Sequence, residues 1–170
     1  SATGLAAGTY NVTVTDANNC TTTASATVAE PTALTATTTA TDVTCNGGAD
    51  GSASITASGG TGTLAYLWDD NAAQTTASAT GLAAGTYNVT VTDANNCTTT
   101  ASATVAEPTA LTATTTATDV TCNGGADGSA SITASGGTGT LAYLWDDNAA
   151  QTTASATGLA AGTYNVTVTD

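Results

Sequence analysis

Only two kinds of side chain in this sequence are equipped for chemistry: the thiols of Cys20, Cys45, Cys97 and Cys122, and 13 carboxylates. Lys, Arg and His are absent altogether. Without imidazole there is no His-based triad, proton shuttle or zinc site. Without a basic patch to neutralise phosphate, nucleic acid and anionic membrane surfaces are excluded as partners. No apolar run reaches the roughly 18 residues of a membrane span. The carboxylates gather in turns: Asp50 near Asn46, Asp69-Asp70-Asn71, and Asp93 near Asn95. Oxygen-only ligands in loops suit Ca²⁺. Asp and Asn are equally at home as turn formers, and no full ligand loop with regular spacing occurs. Solvated turns are therefore the first expectation, with Ca²⁺ at Asp50, Asp69, Asp70 and Asp93 as the alternative and no other cofactor. Asp69 and Asp70 do not form a glycosidase pair, because adjacent strand residues face opposite ways. No catalytic residue emerges, and the chain reads as a non-enzyme.

These residues recur because the chain does. Residues 1–77 return unchanged as 78–154, and residues 155–170 begin a third copy. A period of 77 is too long for a solenoid turn and suits a small domain in a tandem array. Ser1 opens inside a copy, so the chain reads as a window onto a longer array. Composition and pattern disagree about folding. Leu, Ile and Val number nine in residues 78–154 and Phe is absent, below the level usual for a packed domain. Yet Tyr87-Asn88-Val89-Thr90-Val91-Thr92 alternates apolar and polar with period two, the mark of a half-buried strand. The abundance of β-branched Thr favours sheet over helix. Strands are predicted over residues 34–43, 52–57, 64–68, 86–92 and 98–105, with a weaker segment over 75–80. Along the first, Thr35, Thr37, Thr39 and Thr41 share one face. Pro31 and Pro108 mark junctions, since proline cannot donate to a ladder and stiffens a linker. The expected domains are the C-terminal part of a repeat over 1–30, a complete repeat over 31–107, and the N-terminal part of the next over 108–170.

Two landmarks specify the sheet architecture. In Gly81-Leu82-Ala83-Ala84-Gly85-Thr86-Tyr87, Tyr87 is placed as a tyrosine corner, bonding back to upstream backbone, and Tyr164 repeats it. Trp68, with Trp145 one period on, matches the buried third-strand Trp of an immunoglobulin-like (Ig-like) sandwich. The predicted fold class is all-β: tandem Ig-like β-sandwiches with Trp68, Tyr87, Val89, Val91, Trp145 and Tyr164 in the core.

Cys45-Asn46-Gly47-Gly48-Ala49-Asp50-Gly51, then Ser58-Gly59-Gly60-Thr61-Gly62, Tyr66-Leu67-Trp68, the stretch from Gly81 to Asp93, and Asn96-Cys97 follow one another in a known order. In this the chain resembles the SprB-type repeat of gliding and surface-attached bacteria, itself similar to PKD-like Ig domains. Asn96 departs from the family's frequent Gly at that turn. The resemblance implies very large secreted or cell-surface proteins that serve as adhesins or filaments. In such a setting the cysteines read as disulfides, since no CxxC spacing exists. A cross-link is also expected because so few large apolar side chains must offset the ordering of 77 residues. Three pairings are open: Cys45 with Cys97 inside one domain, which the usual rule favours; Cys45 with the turn cysteine of the next copy, past residue 170; and Cys20 with Cys45 through a fold-back about Pro31.

The expected function is a structural module of an extracellular filament or adhesin stalk whose partners are neighbouring copies. The alternative is an adhesion module that recognises surface glycans or other filaments through its end loops. An ice-binding Thr array is the minor third reading, disfavoured because small sandwiches twist. Six carboxylates per copy keep rods apart, so bundling is expected as pH falls toward the sequence isoelectric point of about 4.1.

Overall fold

The computed structural model describes residues 1–170. It is all-β, with 13 strands and no helix. Before Pro31 lies a hairpin of β1 (Gly8–Thr15) and β2 (Thr21–Val28). Between Pro31 and Pro108 lie β3 (Thr35–Thr41), β4 (Gly51–Ser58), β5 (Ala65–Trp68), β6 (Ser78–Leu82), β7 (Gly85–Thr92) and β8 (Thr98–Val105). After Pro108 come β9 (Thr112–Thr118), β10 (Gly128–Ser135), β11 (Ala142–Trp145), β12 (Ser155–Leu159) and β13 (Val166–Thr169).

The central six strands form two three-stranded antiparallel sheets, β3-β4-β6 and β5-β7-β8, facing each other as a sandwich. The period-two pattern of β7 explains the packing. Val89 and Val91 are wholly buried, while Asn88 faces outward and Thr90 and Thr92 are half-buried. They meet Trp68 and Tyr66 of β5 across the ladder. Val43, Ala53, Ile55, Ala79, Leu82, Ala103 and Val105 complete the core. Three of these are alanines at 5% exposure or less. Small side chains let the sheets close over a core poor in large residues, and close packing lets every buried atom gain dispersion contacts.

The fourth predicted segment is displaced, starting at Ser78 and running to Leu82. The Gln74 side chain lies along this strand, donating to the Thr80 carbonyl and accepting from the Thr80 N–H. One neighbour relation lies outside the antiparallel ladders. β3 runs beside β8 in the same direction: Thr38 Oγ1 donates to the Ser102 carbonyl, and the Ala106 N–H donates to Asp42 four residues further along both. The first strand of the sandwich is thus held against the last.

The unit after Pro108 repeats the first sheet as β12-β10-β9 and carries β11-β13 opposite it. Its core is Ile132, Trp145, Ala156 and Leu159. β13 holds four residues where β7 holds eight, because no strand equivalent to β8 lies beside it.

Candidate functional site

The polar side chains concentrate at the two ends of the central sandwich. At the entry end, where the chain arrives, Gly60 N–H donates to the Thr32 carbonyl. Asp93 knits this end together. Its carboxylate accepts from the backbone N–H groups of Asn95, Cys97 and Thr61 at 2.9 Å each, and it is 5% exposed. Asn96 closes the turn with φ of 63°, a left-handed conformation that Asn tolerates better than most residues. The departure from Gly at this position therefore leaves the turn intact.

At the exit end, the loop after β3 clasps the outgoing chain. The Val43 N–H donates to the Ala106 carbonyl, Asn46 Nδ2 to the Pro108 carbonyl at 2.9 Å, and the Gly47 N–H to Glu107 Oε2 at 2.7 Å. Asn46 is read from sequence only as a turn residue beside Asp50, and Asp42 and Glu107 are not singled out there. Their signal is a Glu directly before the junction proline and an Asn-Gly at a strand end, whose meeting only the fold reveals.

The sequence landmarks lie where the sandwich reading puts them. Tyr87 donates to the Ala83 carbonyl at 3.0 Å and Tyr164 to Ala160 at 3.1 Å, forming the tyrosine corner. Trp68 and Trp145 are buried to 1% and 2% exposure, with each indole N–H on a carbonyl, Thr76 and Thr153. The four carboxylates named as calcium ligands do not converge. Asp50 accepts from Thr44, Asp69 from Asn88, and Asp70 from Gln74, while Asp93 stands at the opposite end. No group of three His, Cys, Asp or Glu side chains comes together to hold a metal. A groove at the exit end, lined by Ala49, Asp69, Asp70, Gln74, Leu82 and Tyr87, recurs in the next copy, with its carboxylates already engaged by protein donors.

The cysteines require correction. All four are free and exposed. Cys45 lies in the exit-end loop, and Cys97 closes the entry-end turn by accepting from Asp93 N–H. The eight residues of β8 at about 3.4 Å each separate those ends by roughly 27 Å. A disulfide needs Cα atoms within about 7 Å, so the favoured Cys45–Cys97 bond is excluded. The fold-back needed for Cys20 with Cys45 is also absent: β2 pairs with β1, and β3 with β4. Cys45 instead stands where the chain passes into the following copy.

Hydrogen bonds also set the acid response. The Thr44 hydroxyl holds the Asp50 carboxyl below its ordinary range, as do the Asn88 side chain for Asp69, the Gln74 side chain for Asp70 and the Cys97 N–H for Asp93. Asp127, Asp146 and Asp147 are lowered in the same way by Thr121, Asn165 and Gln151. A depressed folded pKa contributes stability that is present above the unfolded value, near 3.9, and is lost as pH falls through the folded one. These seven carboxylates keep their charge further down than free ones, so bundling is expected below the sequence isoelectric point of about 4.1. Ellipticity and light scattering should stay flat from pH 7 to about 4 and change together below it. Aggregation above that pH with ellipticity intact would contradict this.

Comparison with known proteins agrees with the geometry. No curated protein matches the chain. The family model of the SprB repeat matches residues 37–73 and again 114–150, each span running from the first strand through the Trp strand to the turn after it, so these two stretches are similar to the SprB repeat.

Proposed function

We propose that this chain is a length of shaft: tandem Ig-like sandwiches that extend an extracellular surface protein and carry tension along it, with neighbouring copies as partners. SprB repeats occur in cell-surface proteins and are structural rather than catalytic. The observation that carries the reading is the parallel apposition of β3 and β8, closed by the clasp of Asp42, Asn46 and Gly47 on residues 106–108. Force entering before β3 and leaving after β8 shears these bonds together instead of opening them one at a time. The clasp also ties the linker to the sandwich it leaves, which restricts bending between copies. The uniformly negative surface keeps parallel shafts apart.

Electron microscopy of a multi-copy array tests this. Strands of seven or eight residues at about 3.4 Å, with turns at both ends, give an expected axial repeat of roughly 35 Å. A chain bending freely at every junction, with no regular spacing, would overturn the shaft. Binding of a single repeat to an immobilised glycan array would favour an adhesive module in its place.

A further inference from the structure

We propose that Gln74 is an edge guard: its side-chain amide stands in for a neighbouring strand along β6 and keeps that edge shut against the same edge of a second copy. The inference goes beyond the shaft reading and holds whether or not the array bears load.

A sheet edge is a row of unpaired N–H and C=O groups, ready to pair with another extended chain. The central sandwich has four outer strands, β3 and β6 in one sheet and β5 and β8 in the other. On one side β3 and β8 run together, tied by Thr38 and Asp42. The other side leaves β5 and β6. Charged side chains, lysine above all, are the usual means of blunting an edge. This chain has no Lys or Arg, and Ser78-Ala79-Thr80-Gly81-Leu82 carries no carboxylate. The need for a guard is acute. Residues 1–77 and 78–154 are identical, so each edge has a matching one tethered nearby at high effective concentration. That is the setting in which repeat proteins misassemble.

Gln74 closes both strands. Its backbone carbonyl accepts from the Trp68 N–H of β5 at 2.9 Å. For β6 the side chain serves. Successive residues of an antiparallel ladder direct their backbone groups to opposite sides. The Ile55 N–H of β4 bonds to the Ala77 carbonyl, and Ala53 stands opposite Ala79, so the N–H and C=O of Thr80 point away from β4. Gln74 meets both of them: Nε2 donates to the Thr80 carbonyl at 3.0 Å, and Oε1 accepts from the Thr80 N–H at 3.1 Å. The amide bonds here as the peptide group of an added strand would. Two residues earlier, the Ser78 carbonyl is taken by the Thr76 hydroxyl.

The preceding turn is built to hold this amide. Asp70 accepts from the Gln74 N–H and from its Nε2, each at 2.9 Å. Ala73 takes φ of 48°, a left-handed conformation unfavourable for Ala, and so turns the chain back onto the edge. The second unit repeats the arrangement with Asp147, Ala150, Gln151 and Thr157.

Sedimentation velocity of the 170-residue chain, in reducing agent to exclude disulfide links, tests the proposal on two double variants. Gln74→Ala with Gln151→Ala bares the edge but keeps the backbone carbonyl that closes β5, so its Trp fluorescence should remain that of the folded parent. Its apparent association constant should exceed the parent's about tenfold or more. Gln74→Glu with Gln151→Glu loses the same donor and adds repulsion with Asp70, so a merely structural role would make it associate as well. An edge blunted by charge should instead hold it at the parent's level. Hydrogen exchange of the parent reads the contact without any substitution: the Thr80 amide should be protected about a hundredfold or more over an unstructured peptide. An Ala variant no more associated than the parent, a Glu variant associating as much as the Ala variant, or a Thr80 amide exchanging at the unstructured rate would each overturn it.

Discussion

Replacing Trp68 by Ala should unfold the central sandwich at or near room temperature. Trp68 is 1% exposed and the largest side chain among ten buried core residues, three of which are alanine. Removing a buried Trp costs about 3–5 kcal/mol, against a total stability of roughly 5–15 kcal/mol for a domain of ordinary size. The small residues around it, Ala53, Ala79 and Ala103, cannot expand into the void, and the Thr76 carbonyl loses its donor. Trp145→Ala provides the control within the chain, since Trp145 belongs to a separate core cluster. It should abolish the transition of the second unit and leave the central one in place. The chain has two Trp residues, so in each variant the remaining indole reports its own unit during urea unfolding. Equal effects of both substitutions on both units would contradict two independent cores.

Gly59→Ala should have the next largest effect, although it adds one methyl group in a loop. Gly59 has φ of +84°, and a Cβ there would stand 2.0 Å from the Ala33 carbonyl oxygen. The obstacle is backbone, so no side-chain rotation relieves it. The incoming chain must shift, and the adjoining bond from Gly60 N–H to the Thr32 carbonyl goes with it. Left-handed strain and the collapsed contact together should cost about 3 kcal/mol or more. Gly47→Ala separates the two contributions. Gly47 has φ of +74° with nothing within 4 Å of the added atom, so only the conformational cost of about 1 kcal/mol remains. Calorimetry should show a shift in melting temperature several times larger for Gly59→Ala; equal shifts would mean that the entry-end contact is unimportant.

Much of this was legible in the residues. The alternation from Tyr87 to Thr92 and the run from Thr98 to Val105 read directly as strands, because period two in Val and Thr has few other interpretations. The Tyr87 corner and the Trp68 position followed from order and spacing. The low count of large apolar residues misled, since Ala53, Ala79 and Ala103 serve as core in a sandwich whose sheets approach closely. The cysteine pairing failed on geometry that no local pattern encodes: which loop lies at which end depends on the direction of β3 and β8 in the finished fold. The clasp of Asn46 and Gly47 on residues 107 and 108 joins positions about sixty apart, a tertiary contact that no local propensity encodes.

The proposed role in carrying tension is tested most directly by stretching a single chain from its two ends and recording force against extension. The central sandwich should resist and then yield in one step, releasing roughly 230 Å of contour length as about 75 residues extend at near 3.6 Å each from a folded length of about 35 Å. Asp42→Ala and Thr38→Val, which remove the side chains joining β3 to β8, should lower the force of that step without changing its length. Gradual extension with no step, or a step whose force ignores both substitutions, would contradict the account.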